Sequence, residues 1–285
     1  MRYHTPSSFE DASALAAAAT GVTRFLAGGT DVLVQLRSDL VTPDDLIDIK
    51  QIAGVRDITR RDDGSWRIGA AVSGAELAEH EALIAEWPGV VEALELIGST
   101  QIQARCTLVG NLCNGSPAAD SVPAMIAAGA TVSVVGPEGA REITVEGVPT
   151  APGVTSLGPG EVVSAVNLPP RGKGGGDAYL RFIPRTEMDI AVVGAGVSLS
   201  REGDTITAAR VALGAVAPTV LLVEEAGAAL VGSTLDDAAL ATLARAAEAA
   251  CRPISDKRGT VEFRTHVAGV LARRAARIAY DRAGA

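Results

Sequence analysis

The amino-acid sequence predicts an α+β protein with two domains. Its 285 residues suit two domains, since each of them can then bury a core of ordinary size. The tract PPRGKGGGDA, residues 169–178, interrupts every periodic pattern and is the best candidate for a linker. Beyond it, three strand patterns precede three helical patterns, an order typical of helices packed on one sheet face. We therefore place the boundary near residue 175, between domains 1–175 and 176–285.

The first part of the N-terminal domain alternates helix and strand patterns. Helix SSFEDASALAAAAT begins with Ser7 or Ser8, either of which can accept hydrogen bonds from the first turn. Strand TRFLA follows, then the glycine pair Gly28-Gly29, then helix DVLVQLR. The set is completed by strand DLIDI, a hairpin that turns at Asp63-Gly64, and helices from Ser73 and Gly89.

The remaining elements are hairpins and helices on both sides of the boundary. A helix is expected around residues 117–128, and the alternating valines of ATVSVVGPEGAREITV predict two strands joined by a Pro-Glu-Gly turn. Strand EVVSAVNLP then ends the N-terminal domain. The predicted strands of the C-terminal domain are AYLRFIPR, DIAVVGAGVSLSREG and TITAARVALGAVA. Its predicted helices are VLLVEEAGAAL, TLDDAALATLARAAEAAC and GTVEFRTHVAGVLARRAARIAYDRA.

Composition and charge disfavour several classes of protein. The net charge of −9 argues against nonspecific nucleic-acid binding, which needs clustered Lys and Arg side chains. Apolar runs are too short to span a bilayer, so we expect a cytoplasmic protein without a transmembrane segment. The three cysteines lack ligand spacing and the three histidines are isolated, so we expect neither a disulfide framework nor a metal site. No Ser-His-Asp or Cys-His set indicates a catalytic residue.

The first candidate binding element is a glycine loop near the N-terminus, residues 26–32, called here the first loop. Gly28 and Gly29 follow a strand and precede a helix, an arrangement that turns backbone amides toward a bound phosphate. Thr30 can add a hydroxyl donor. A tight turn without a ligand is the alternative interpretation of this motif alone.

The second candidate element spans residues 107–120 and is called here the second loop. Gly110 and Gly115 free the backbone, while Asn111, Asn114 and Ser116 supply polar groups that are costly to bury without partners. Asp120 could accept hydrogen bonds from ribose hydroxyls, or it could cap a helix. A dinucleotide pyrophosphate held between the two loops would explain both of them.

A competing motif lies in VVGAGVSLS, where Gly194 and Gly196 could start a nicotinamide fingerprint. The third glycine is absent at the required spacing, and the segment continues as a strand instead of opening a helix. We interpret this glycine pair as a packing feature.

The two loops, in this order, resemble the flavoprotein or medium subunit of the molybdenum hydroxylases, the family of carbon monoxide and xanthine dehydrogenases. LAGGTDVLVQLR is similar to the first FAD loop of that family, and TLVGNLCNGSPAADSVP to the second. YLRFIPRTEMDIAVVGAGV resembles the flavin-side strand, and PISDKRGTVEFRTHVAGVLARR the C-terminal signature. The resemblance covers nearly the whole chain.

The resemblance implies an FAD-binding domain of two α/β subdomains, about 1–55 and 56–175, and a smaller domain with three antiparallel strands and helices. The backbone of the first loop should wrap the pyrophosphate, residues 107–111 should approach its other side, and Asp120 should hold the ribose. Tyr179 or Phe182 could lie near the flavin or pack in the core. The full implied FAD set is Leu26, Ala27, Gly28, Gly29, Thr30, Asp31, Val32, Ile97, Thr107, Gly110, Asn111, Ser116, Asp120, Val163 and Arg181.

The resemblance also implies partners. FAD is expected to be the redox group of this chain, with molybdenum cofactor in a large partner subunit and two [2Fe–2S] clusters in a small one. The expected assembly is a dimer of such heterotrimers, which transfers electrons to an external acceptor. The alternatives are a free-standing FAD-dependent oxidase or dehydrogenase, and a scaffold protein that has lost FAD. The substrate and the final acceptor are not fixed by this sequence.

Overall fold

The computed structural model describes residues 1–185 and 188–284. Residues 186–187, within the flavin-side segment, and residue 285, at the end of the C-terminal domain, lie outside the described ranges. The strands are β1 Arg2–His4, β2 Thr23–Leu26, β3 Asp45–Asp48, β4 Ile58–Arg60, β5 Trp66–Gly69, β6 Thr131–Gly136, β7 Gly139–Thr144, β8 Pro149–Ala151, β9 Val154–Thr155, β10 Val162–Leu168, β11 Gly175–Phe182, β12 Val193–Glu202, β13 Thr205–Gly214 and β14 Leu221–Leu222.

The helices range from one turn to six. They are α1 Phe9–Ala18, α2 Val32–Arg37, α3 Gly74–Ala78, α4 Glu81–Glu86, α5 Pro88–Glu95, α6 Thr100–Gln103, α7 Leu108–Cys113, α8 Ser121–Ala127, α9 Glu224–Ala228, α10 Asp237–Ala250 and α11 Val261–Arg282. Among the described residues, no helix is long and apolar enough to cross a membrane.

The strands form three main sheets. A parallel sheet has the order β1-β3-β2, and an antiparallel sheet has the order β4-β5-β10-β6-β7. The C-terminal sheet is antiparallel, in the order β11-β12-β13-β14, while β8 and β9 pair as a small hairpin. The predicted α+β class is therefore confirmed.

Two apolar cores underlie these sheets. The first joins the two N-terminal sheets and includes Ile47, Ile68 and Val166, whereas the second holds α10 and α11 against the C-terminal sheet. Tyr179 belongs to the first core although it lies in β11 of the C-terminal sheet. The two parts of the chain therefore share buried side chains across their junction.

Three features differ from the sequence-based expectations. Leu221–Leu222 form a fourth strand instead of helix, because they pair with β13, and α9 begins only at Glu224. The expected linker 169–178 is shorter, since β11 begins at Gly175. A Cβ at Gly176 would overlap the carbonyl oxygen of Ala279, so glycine here serves close packing of α11. The helix expected at 117–128 spans only Ser121–Ala127.

Candidate functional site

The first loop and the second loop meet at a large cavity. A Cβ built on Gly28 would overlap the carbonyl oxygen of Arg105 and lie 2.7 Å from its carbonyl carbon. Only glycine lets the first loop approach the backbone that precedes α7 so closely. The cavity beside this contact measures about 880 Å³, within the range of about 300–1,000 Å³ that is usual for ligand sites.

The backbone of the first loop carries unpaired hydrogen-bond donors at the wall of this cavity. Gly29 has φ of 80°, a conformation that favours glycine. Within residues 1–185 and 188–284, the amides of Gly28, Gly29, Thr30 and Asp31 donate no hydrogen bond to a protein acceptor. All four residues line the cavity. Such a run of free amides is suited to an anionic ligand.

The second loop differs from its expected form, because its first part is helix α7. Thr107 caps this helix, and its side-chain oxygen accepts from the Gly110 amide at 2.8 Å. That amide is therefore already paired, so Gly110 does not act as a free backbone donor. Gly115, with φ of 66°, does mark a turn, and its carbonyl accepts from Gly153 at 3.0 Å.

The asparagines of the second loop make defined contacts. Asn111 lines the cavity, and its Oδ1 atom accepts from the Ser121 hydroxyl at 2.7 Å and the Ser121 amide at 3.2 Å. Asn114 also lines the cavity, and its Oδ1 atom accepts from Gln35 Nε2 at 3.2 Å. The second contact connects the two sides of the cavity, since Gln35 belongs to α2 and Asn114 follows α7.

Most of the residues expected to bind FAD line this cavity. Ile97 is half-buried and Val163 is buried at its apolar wall. Leu26, at the start of the first loop, is buried and does not line this cavity. Ser116 lines a second cavity, of about 320 Å³, against the C-terminal domain. The expected residues that line the large cavity are Ala27, Gly28, Gly29, Thr30, Asp31, Val32, Ile97, Thr107, Gly110, Asn111 and Val163.

Asp120 and Arg181 lie together, outside the cavity lining. Arg181 Nη1 donates to Asp120 Oδ2 at 2.7 Å, and the Tyr179 hydroxyl donates to Asp120 Oδ1 at 3.0 Å. The Arg181 side chain is only 7% exposed and the Asp120 side chain only 10%. Burial raises the pKa of the Asp120 carboxyl to about 6, although Arg181 and Tyr179 act to lower that pKa. Asp120, expected at the ribose, and Arg181, which the resemblance placed near the cofactor, therefore pair with protein groups.

The two aromatic candidates have separate environments. Tyr179 is buried in the N-terminal core, which raises the pKa of its hydroxyl well above the ordinary value. Phe182 is 37% exposed and packs edge-to-face against Phe263, with ring centroids 5.5 Å apart. Neither side chain lines the large cavity.

Besides the first loop and the second loop, a third segment that the sequence analysis did not identify lines the cavity. This segment lies between β9 and β10, where Gly158, Pro159 and Gly160 follow Leu157. The Gly-Pro-Gly triplet was the available signal, since it breaks strand pattern in the same way as the other two loops.

Two of the three cysteines also line the cavity. Burial raises the pKa of the Cys106 thiol to about 11 and that of Cys113 to about 12. Both thiols are therefore protonated at neutral pH and unreactive.

Comparison with protein families identifies this architecture. Residues 1–171 match the FAD-binding domain in molybdopterin dehydrogenase, and residues 178–279 match the carbon monoxide dehydrogenase flavoprotein C-terminal domain. The chain belongs to the molybdenum hydroxylase medium-subunit family. It is thus an FAD-binding medium subunit of the carbon monoxide and xanthine dehydrogenase type, an oxidoreductase component.

Similarity to individual medium subunits extends along the whole chain. The carbon monoxide dehydrogenase medium chain of Afipia carboxidovorans is 37% identical over 281 residues, covering 99% of this chain and 97% of that one. The putative xanthine dehydrogenase FAD-binding subunit of Escherichia coli K12 is 31% identical, covering 93% and 91%. A chain of the cyanide-inactivated Cu,Mo-CO dehydrogenase superposes with a TM-score of 0.94 at 36% identity, covering 99% and 98%.

Proposed function

We propose that this medium subunit binds FAD noncovalently in the large cavity and is the electron outlet of a three-subunit molybdenum hydroxylase. Electrons would come from [2Fe–2S] clusters of a small partner subunit and leave to an external acceptor. A large partner subunit would hold the molybdenum cofactor and the organic or inorganic substrate. FAD, when bound, supplies the redox chemistry, while the protein binds and orients it.

The free amides of the first loop are the observation that carries this proposal. Four consecutive residues whose amides have no protein acceptor line a cavity large enough for a dinucleotide. Charge-assisted bonds from such donors to a pyrophosphate are stronger than bonds between neutral groups. The chain's own residues therefore fit the cofactor that the family implies.

The other cavity residues suit the remaining parts of the cofactor. Ile97 and Val163 offer an apolar surface for the ring system, and Asn111 holds the wall in place through Ser121. We further propose that Asp120 and Arg181 act as a pair at the margin of the site, where the end of the second loop meets β11. Contact of this pair with the cofactor remains a prediction.

Affinity purification of the tagged chain from its native cells tests the proposed function. We expect two copurifying subunits, identified by mass spectrometry, with FAD, iron and molybdenum in the preparation. Gel filtration would then report whether the assembly is a dimer of heterotrimers, and cell fractionation whether it is cytoplasmic. A chain that purifies alone, carries FAD and turns over a substrate would instead identify a free-standing flavoenzyme.

Helix α2 provides a direct prediction about cofactor binding. None of its residues is buried, and Val34 is 61% exposed. Because the first loop and α2 have little packing of their own, FAD should slow hydrogen exchange of the amides of residues 29–37 by about tenfold or more. Mass-spectrometric exchange on the complex, with and without flavin, measures this effect. Helix α10 of the C-terminal domain is the internal control, since none of its residues lines the cavity and its amides should exchange at the same rate in both states.

A further inference from the structure

The first loop carries an acidic side chain where an anion is expected to bind. Asp31 stands between Thr30 and helix α2, and it lines the large cavity beside the free amides. The amides attract a pyrophosphate, whereas an ionised carboxylate in the same loop repels it. This local conflict sets Asp31 apart from the other residues of the first loop.

In the part of the chain that the structure describes, no cation pairs with the Asp31 carboxylate. Throughout residues 1–185 and 188–284, the Asp31 carboxylate makes no hydrogen bond or ion pair, and its position at the start of α2 involves no capping bond. The other ionisable side chains that line the cavity are Arg24, Glu161, Cys106 and Cys113.

These four groups leave the charge of Asp31 uncompensated. Arg24 forms no ion pair with Asp31 and does not contribute to its pKa shift; its Nη1 atom donates to the carbonyl of Thr23 at 3.0 Å. Glu161 pairs with Arg141 at 2.6 Å. The thiols of Cys106 and Cys113 are protonated, because burial raises their pKa values to about 11 and about 12. A second acid, Glu161, thus faces the same space as Asp31.

The local environment makes the Asp31 carboxyl easier to protonate than a carboxyl in water. Asp31 is an exposed residue at the wall of the cavity, and partial desolvation of its carboxyl raises the pKa above the ordinary value. A dinucleotide in the cavity would displace water and add negative charge, and both changes raise the pKa of a carboxyl further. The protonated carboxyl could also donate a hydrogen bond to a phosphate oxygen.

We propose that Asp31 couples the binding of the dinucleotide to the uptake of one proton from solvent. This inference rests on the proposed function, since it requires that the pyrophosphate lie at the first loop. The proton adds to an Asp31 carboxylate oxygen, and no other bond forms or breaks. Because the bound state holds the proton more tightly, FAD affinity is highest at low pH and falls as the pH rises.

Titration of the flavin-depleted complex with FAD between pH 5.5 and 8.5 tests the proposal. The dissociation constant of the wild type should rise by up to about tenfold per pH unit until the pH passes the Asp31 pKa of the bound state, and should level off above it. Calorimetry in two buffers of different ionisation enthalpy should show proton uptake.

Asp31→Asn, which cannot titrate, should bind FAD at least as tightly as wild type at pH 8 and take up no proton at this site. Asp39→Asn is the matched control, with the same charge change at the other end of α2 and outside the cavity lining.

The outcomes separate the two proposals. A flat profile in Asp31→Asn with a wild-type profile in Asp39→Asn supports proton coupling at Asp31. Equal pH dependence in wild type and Asp31→Asn, or flattening by Asp39→Asn as well, overturns it while FAD binding stands. Failure of every form to bind FAD at any pH would instead contradict the proposed function.

Discussion

Replacement of Gly28 by alanine is expected to remove FAD from the purified complex. The added Cβ would overlap the Arg105 carbonyl, which is backbone and cannot swing aside, so the first loop must move away from α7. Each charge-assisted hydrogen bond that is lost, worth about 1.5–3 kcal/mol, weakens binding by about 10- to 100-fold. The ratio of flavin absorbance to protein in the isolated complex measures the loss.

Gly172→Ala is the matched control for this substitution. A Cβ at Gly172 would meet no atom within 4 Å, so the same chemical change should leave the flavin content at the wild-type level. Full flavin occupancy in Gly28→Ala would show that the cofactor does not depend on the contact between the two loops. It would also contradict the assignment of the first loop to the FAD-binding site.

Asp120→Ala is expected to destabilise the chain by about 3–5 kcal/mol, because it leaves the Arg181 guanidinium buried without its counter-ion. The Tyr179 hydroxyl loses its acceptor at the same time. Urea unfolding of the full chain measures this effect. Tryptophan fluorescence is a suitable probe, since Trp66 and Trp87 both lie in the N-terminal domain.

Asp204→Ala serves as the control, because the Asp204 side chain is 84% exposed in its pair with Arg201. Its loss should cost less than about 1 kcal/mol. Arg181→Ala and the double variant complete a cycle that isolates the coupling between Asp120 and Arg181. If the two single substitutions add without coupling, the ion pair does not hold the domains together.

The sequence predicts the elements of the site better than it predicts their partners. Gly28 and Gly29 could be recognised because a strand, a glycine pair and a helix form a local pattern. The pairing of Asp120 with Arg181 could not be predicted in this way. A buried aspartate needs a hydrogen-bond or charged partner, but the sequence does not show which of the many arginines lies beside it. The helix at residues 108–113 was also not predicted, because Gly110 suggests a loop. In the structure the Thr107 side chain accepts a hydrogen bond from the Gly110 amide and caps the helix.

The place of Tyr179 has a consequence for any attempt to exchange parts between related medium subunits. Its ring completes the core of the N-terminal domain, although its backbone belongs to the C-terminal sheet. A fragment cut at the linker would lack this ring and would leave Asp120 without both of its donors. The stability of the two family domains is therefore coupled through β11. A chimaera of two medium subunits should be joined after Phe182 and not near residue 175, so that β11 and the N-terminal domain come from the same parent.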